Sequence, residues 1–196
     1  RRNDIRKSSF AASVNPRPKQ WNIRQMSFGV RFSQYSRLSY QQLESRLVSF
    51  TPLEFEFDSG ARLQYRVRSQ FERLFEPFDI RDDLSIPADT YSFLTQNLSY
   101  RSAINKPWQF NVMWNFGAFY NGSRDQLSTR FNWRNKNIST SLYWQQDWVH
   151  LKQGNFSTQL MRFRYDYSFS PLLSLTNFIQ YDTDSHNLGL QSKFRW

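Results

Sequence analysis

Between Trp108 and Tyr120 the chain reads WQFNVMWNFGAFY, and the alternation in this stretch decides the fold. Its even positions are Trp108, Phe110, Val112, Trp114, Phe116, Ala118 and Tyr120, set against Gln109, Asn111, Met113, Asn115 and Gly117. Successive side chains of a strand point to opposite faces, so this period gives a strand with one apolar and one polar side. From Arg62 to Phe71 the pattern recurs, with Leu63, Tyr65, Val67 and Phe71 opposite Arg62, Gln64, Arg66, Arg68 and Gln70. It continues in Leu127, Thr129, Phe131 and Trp133, in Ile138, Thr140, Leu142, Trp144 and Trp148, and in Leu188, Leu190, Phe194 and Trp196. Near the start, Trp21 and Ile23 have one parity and Met26, Phe28, Val30 and Phe32 the other, which a β-bulge at Arg24 and Gln25 reconciles.

Counting such runs predicts about twelve strands of roughly ten residues, the rhythm of a transmembrane barrel. Their centres fall near Phe10, Phe28, Gln42, Phe55, Tyr65, Gln96, Val112, Phe131, Tyr143, Met161, Phe178 and Gly189. The seven prolines, Pro16, Pro18, Pro52, Pro77, Pro87, Pro107 and Pro171, fall between or at the ends of these runs. That is where a residue without an N–H belongs. Short links at 58–61, 103–106, 135–137 and 168–171 alternate with longer ones at 72–90, 121–126, 151–155 and 182–187, 72–90 being the longest. Short turns on one rim and longer loops on the other are expected of an outer-membrane barrel, with the short rim periplasmic. An even strand number places both ends of the segment there.

The composition favours lipid over water as the medium around the apolar stripes. Hydrophobic residues make up 39% of the 196 residues and aromatics 18%, mean hydropathy is negative, and no apolar run is long enough for a membrane helix. A soluble antiparallel sandwich also alternates, but runs of about ten residues match a tilted crossing of the hydrocarbon layer. Cysteine is absent, which agrees weakly with an oxidising compartment. The net charge of +10 comes mainly from arginines spread along the whole chain, often inside alternating runs, rather than gathered in one basic patch. This distribution predicts an Arg-rich lumen and no nucleic-acid partner. The expected lumen residues are Arg62, Arg66, Arg68, Arg130, Arg134, Arg162 and Arg164, with Glu54, Glu56 and Asp58 pairing across the hairpin to Arg62, Arg66 and Arg68. The expected aromatic girdle is Trp21, Tyr91, Trp108, Tyr120, Trp133, Trp148, Tyr181 and Trp196.

The stretches RRNDIRKSSFAASVNPRP, ERLFEPFDI with IPADTY, GAFYNGSRDQLSTRFNW and YSFSPLLSLTNFIQYDTDSHNLGLQSKFRW, which together span most of the chain, carry a resemblance. They resemble the outer-membrane barrel domain of unassigned activity that follows a family-9-type carbohydrate-binding module in Gram-negative surface proteins. The resemblance implies that residues 1–196 are one barrel segment of a larger barrel, with a carbohydrate-binding module upstream and a short last strand after Trp196. It also implies a bacterial outer-membrane location, with lipid, barrel-assembly machinery and, through the upstream module, carbohydrate as partners. Trp196, with Phe194 two residues before it, also looks like the terminal signal read by barrel-assembly machinery, in which case the chain ends at Trp196.

Catalytic and metal chemistry find little support. His150 and His186 are the two histidines, and neither has a partner at metal-ligand spacing, so no metal and no cofactor are expected. Asp182, Asp184 and His186 alternate and are at most a weak cation loop, while opposing arginines keep Glu54 and Glu56 ionised and unsuited to general-acid work. A lipase-like pairing of His150 with Ser139 or Ser141 lacks a surrounding signature, and no catalytic residue is assigned. The leading expectation is a membrane anchor or anion-favouring pore for a carbohydrate-handling surface protein. The alternatives are an outer-membrane hydrolase acting on glycans or lipids, and a soluble basic β-protein binding single-stranded nucleic acid.

Overall fold

The computed structural model describes residues 4–18, 20–39 and 42–196, and among them every regular element is a β-strand. The strands are β1 (Ile5–Val14), β2 (Ile23–Met26), β3 (Phe28–Arg37), β4 (Gln42–Phe57), β5 (Arg62–Arg73), β6 (Phe78–Arg81) and β7 (Leu84–Ile86). They continue with β8 (Thr90–Arg101), β9 (Trp108–Phe119), β10 (Gly122–Arg134), β11 (Ile138–Leu151), β12 (Gly154–Ser170), β13 (Leu173–Asp182) and β14 (Asn187–Arg195). One antiparallel sheet takes the order β1-β3-β4-β5-β8-β9-β10-β11-β12-β13-β14, with β2 paired to β4 beside this path. The other sheet is the hairpin β6-β7. The large sheet is open, and β1 and β14 are its edges.

Four expectations are corrected. The strands centred on Gln42 and Phe55 are one strand, β4, and Pro52 lies inside it. A register shift between Phe50 and Leu53 accommodates that proline, since a bulged residue has no ladder bond to donate. Second, the path therefore has eleven strands, so β1 begins at one rim and β14 ends at the other, rather than both at the same rim. Third, the links 121–126 and 151–155 are tight turns at 120–121 and 152–153, leaving Arg124 and Gln126 within β10. Fourth, loop length does not alternate by rim: the rim carrying the 74–89 connection also carries those two tight turns. The expected bulge near Arg24 is present as a register shift between Ile23 and Gln25 in the β2–β4 pairing.

Register assigns the faces, because directly paired residues share a side of the sheet. Leu63 pairs with Tyr100, Tyr100 with Val112 and Val112 with Thr129; Phe131 pairs with Leu142, Leu142 with Phe163, Phe163 with Ile179 and Ile179 with Leu190. This apolar face is largely bare: Phe50 is 50%, Phe131 45% and Leu190 72% exposed. On the other face Asn97, Ser128 and Asp147 are each only 5% exposed. A sheet that crowds its polar side chains and splays its apolar ones is curled toward the polar side. Gly117 belongs to that crowding: its φ is +133°, and an added Cβ would lie 2.5 Å from the Leu94 carbonyl oxygen.

The compact core is small and lies at one end of the polar face. Leu84 and Ile86 of β7 pack with Tyr91 and Phe93 of β8 and with Val149 and Leu151 of β11. The 74–89 connection therefore folds back over the sheet instead of projecting from it.

Candidate functional site

The seven predicted arginines and two of the three predicted acids share the polar face. Arg62, Arg66 and Arg68 alternate on β5, Arg130 and Arg134 on β10, and Arg162 and Arg164 on β12, in register with Glu56, Asn97, Thr95, Tyr143, Ser139, Gln180 and Phe178 respectively. The charge pairing is more selective than expected. Glu54 takes Arg62 and Gln64, while Glu56 takes Arg24 from β2. Arg66 donates to the Gln64 amide oxygen at 2.8 Å and not to an acid. Asp58 is corrected: it lies exposed in the β4–β5 turn, where its backbone N–H donates to the Asn22 carbonyl. A side chain in the turn has left the alternation that holds Glu54 and Glu56 on the face.

Farther along the face, Arg164 forms a fork onto Asp166 at 2.8 and 3.1 Å, and Thr176 donates to the same carboxylate at 2.7 Å. The Tyr143 ring lies between two cations, with Arg130 at 5.1 Å and Arg162 at 5.8 Å from its centroid. Arg162 also donates to Gln180 at 3.0 Å.

The most enclosed charged group among the described residues is one that the sequence reading missed. Asp147 of β11 accepts from Arg124 Nε at 2.8 Å and Nη2 at 2.5 Å, from Gln126 at 3.0 Å and from Gln145 at 2.6 Å. An amide relay extends the network across two more strand junctions. Asn97 donates to Asn115 at 2.7 Å, and Asn115 donates to Gln126 at 2.9 Å. Such a chain satisfies polar groups that burial would otherwise leave costly. Beside it a cavity of about 230 Å3 lies among Arg68, Gln70, Asn97, Arg124 and Gln126, with Phe93 and Phe119 toward the β6-β7 hairpin.

The hairpin closes this end of the face through several ties. Tyr120, in the left-handed region at φ +49°, packs edge-on against Tyr91 with centroids 5.2 Å apart, and its hydroxyl donates to Glu72 at 3.0 Å. The Phe78 ring of β6 lies 6.3 Å from it. Arg81 reaches Asp184 in the β13–β14 turn at 3.2 Å and lies over Phe156 at 5.2 Å. Leu84 seats against Gly154, where an added Cβ would come within 3.0 Å.

Tyr120 gives the hairpin a pH dependence. Burial first, and then the neighbouring Glu72 carboxylate, raise the phenol well above its ordinary value of 10.0. Above about pH 10 the undocked phenol has lost its proton while the docked one keeps it, so docking weakens as pH rises. The protection factor of the 78–86 amides, their exchange rate relative to that of an unstructured chain at the same pH, is expected to be constant below that point and to fall above it. Tyr120→Phe is expected to abolish the alkaline loss of protection, and an unchanged loss in that variant speaks against Tyr120 as its source.

Of the predicted girdle, Trp108, Trp133, Trp148 and Tyr181 lie on the apolar face, Trp108 paired directly with Trp133. Trp21 and Trp196 are exposed outside the strands. Tyr91 and Tyr120 are corrected: both turn into the hairpin core, Tyr91 with its hydroxyl donating to the Pro87 carbonyl at 2.8 Å. The parity of Tyr91 matches Asn97, not Leu94 and Leu98.

His150 is exposed at the hairpin end of β11, whereas Ser139 and Ser141 lie at the opposite end and on the other face, which removes that catalytic pairing. Register sets His150 beside Ser123 and Asn155, but no side-chain hydrogen bond joins them among the described residues. Asp184 is engaged by Arg81, and among the described residues no group of three or more His, Cys, Asp or Glu could hold a metal ion. No family model, curated protein or solved structure matches the chain.

Proposed function

We propose that this chain is a segment of an outer-membrane β-barrel that serves as an anchor or anion-favouring pore for a carbohydrate-handling surface protein. The observation that carries the reading is the bare apolar face, continuous across eleven paired strands, backed by a crowded polar face. In a soluble sandwich a second sheet covers the apolar side. Here the only other sheet among the described residues packs on the polar side. An uncovered apolar surface of this extent marks contact with lipid or protein. Lipid fits best, since strands of 9 to 17 residues along the path are long enough for a tilted crossing. The carbohydrate element of the proposal rests on the sequence resemblance alone.

Closure follows from strand direction. β1 and β14 both run away from the hairpin rim, so joining them directly makes a parallel seam. An all-antiparallel barrel built on this sheet takes an odd number of further strands between β14 and β1, making the total even.

The test is fractionation followed by bilayer recording. The chain is expected in the outer-membrane fraction, resistant to carbonate and released by detergent. Recovery as a soluble species without detergent overturns the membrane reading. In planar bilayers the excess of polar-face arginines predicts anion preference; strong cation preference removes the pore and leaves the anchor.

A further inference from the structure

Near the rim opposite the hairpin, the polar face holds a group of arginines that the fold does not neutralise. Arg31 of β3, Ser49 of β4 and Arg68 of β5 lie in one register row, and Arg66 sits two residues from Arg68 on the same side. Among the described residues, none of Arg31, Arg66 and Arg68 contacts a carboxylate. Glu54 is engaged by Arg62 and Gln64, and Glu56 by Arg24. Arg66 thus stands within electrostatic reach of Arg31, Arg62 and Arg68 with Glu54 as the one opposing charge.

Arg31, Arg62 and Arg66 border a hollow of about 330 Å3, with Glu54, already held by Arg62 and Gln64, also on its wall. Its floor is made of small side chains, Ala11 and Ser13 from β1 and Gly29 from β3, so nothing from the neighbouring strands fills the space between the guanidinium groups. Hydroxyls of Ser49 and Thr51 line it, two residues apart on β4 and paired with Arg31 and Gly29 respectively. Arg68 turns toward the second cavity, which it shares with Arg124. A hollow with guanidinium forks, hydroxyl donors and no facing acid left free is complementary to a tetrahedral oxyanion.

We propose that this hollow binds a phosphate or sulfate group, held by Arg31 and Arg66 with Ser49 and Thr51 donating, and that Arg68 passes it toward Arg124. The proposal deepens the anion preference above and rests on the polar face being wetted by enclosed water. It does not need the outer face to be wetted by lipid, so the two can fail separately. The volume exceeds that of a free inorganic ion, and both a free ion and the head of a phosphorylated sugar offer the required chemistry.

The experiment is calorimetric titration of the full chain, in detergent micelles or, if it proves soluble without them, in buffer, with inorganic phosphate and separately with glucose 6-phosphate. Saturable binding of at least one probe is expected. Arg31→Gln with Arg66→Gln should weaken it at least about tenfold, and the charge-matched control Arg162→Gln with Arg164→Gln less than about twofold. Arg66→Lys, which keeps the charge and loses the fork, should fall between them and serves if the double variant does not fold. Tighter binding of the sugar phosphate assigns the site to a phosphorylated solute; equal binding assigns it to the free ion. No saturation by either probe, or equal weakening by the control pair, overturns the proposal.

Discussion

Replacing Asp147 by alanine is expected to cost about 3 kcal/mol of folding stability, the largest effect of any single charge on the polar face. The carboxylate is 7% exposed and receives four hydrogen bonds from Arg124, Gln126 and Gln145. Removing it takes the shared acceptor from the Arg124 guanidinium, whose side chain is 39% exposed, and from two half-buried amide N–H groups, and the desolvation cost of those amides is then uncompensated. Arg164–Asp166 is the internal control, with side chains 57% and 28% exposed. Asp166→Ala should cost at most about 1 kcal/mol, the range for exposed pairs. Because a buried pair often contributes little over an apolar one, Asp147→Leu combined with Arg124→Met should recover much of the loss that Asp147→Ala causes. Denaturant midpoints followed by tryptophan fluorescence measure all three. A midpoint for Asp147→Ala no lower than that for Asp166→Ala would falsify the claim that this network holds β10 to β11.

Why the sequence hid this pair is instructive. Alternation located nearly every long strand, because residues such as Val112, Trp114 and Phe116 repeat every second position over a whole crossing. It failed where a polar strand end looks like a loop. Asn121-Gly122-Ser123-Arg124-Asp125-Gln126 has turn composition throughout, yet only Tyr120 and Asn121 make the turn, and Arg124 and Gln126 are already paired to Val149 and Asp147. Gly122 reads as a loop residue but is there for close packing, since a Cβ on it would lie 1.9 Å from the His150 carbonyl oxygen. Pro52 misled in the opposite sense, dividing one strand into two because a bulge that tolerates proline leaves no mark on composition.

The seven arginines were placed correctly on one face by parity alone, whereas their partners were not. Arg24 reaches Glu56 only because β2 pairs with β4, and no local pattern announces that pairing. The hairpin was equally hidden. A 16-residue connection bounded by Leu74 and Asp89 reads as a surface loop until Leu84 and Ile86 are seen against Tyr91, Phe93 and Val149, which come from strands that are not neighbours in the sheet.

Ile86→Ala is the substitution expected to undo that hairpin. Ile86 is fully buried, and truncating such a residue costs about 2 to 4 kcal/mol. A two-stranded hairpin of this size has little stability of its own, so the cost falls on docking rather than on internal structure. The eleven-strand ladder makes its backbone bonds without β6 or β7 and should keep its overall unfolding midpoint. Losing 2 kcal/mol multiplies the undocked population by roughly thirty, so proteolysis within 74–89 should accelerate at least tenfold. The exposed Arg81–Asp184 tie is a poor substitute for the apolar seat, and Arg81→Gln should change the cleavage rate less than about twofold. In the proposed barrel Ile86→Ala uncovers the cavity shared by Arg68 and Arg124, so conductance through that rim should rise with the cleavage rate. If cleavage accelerates and conductance does not, the hairpin covers the polar face without gating it. If Arg81→Gln accelerates cleavage as much as Ile86→Ala, the hairpin is held by its charges and the apolar seat is incidental.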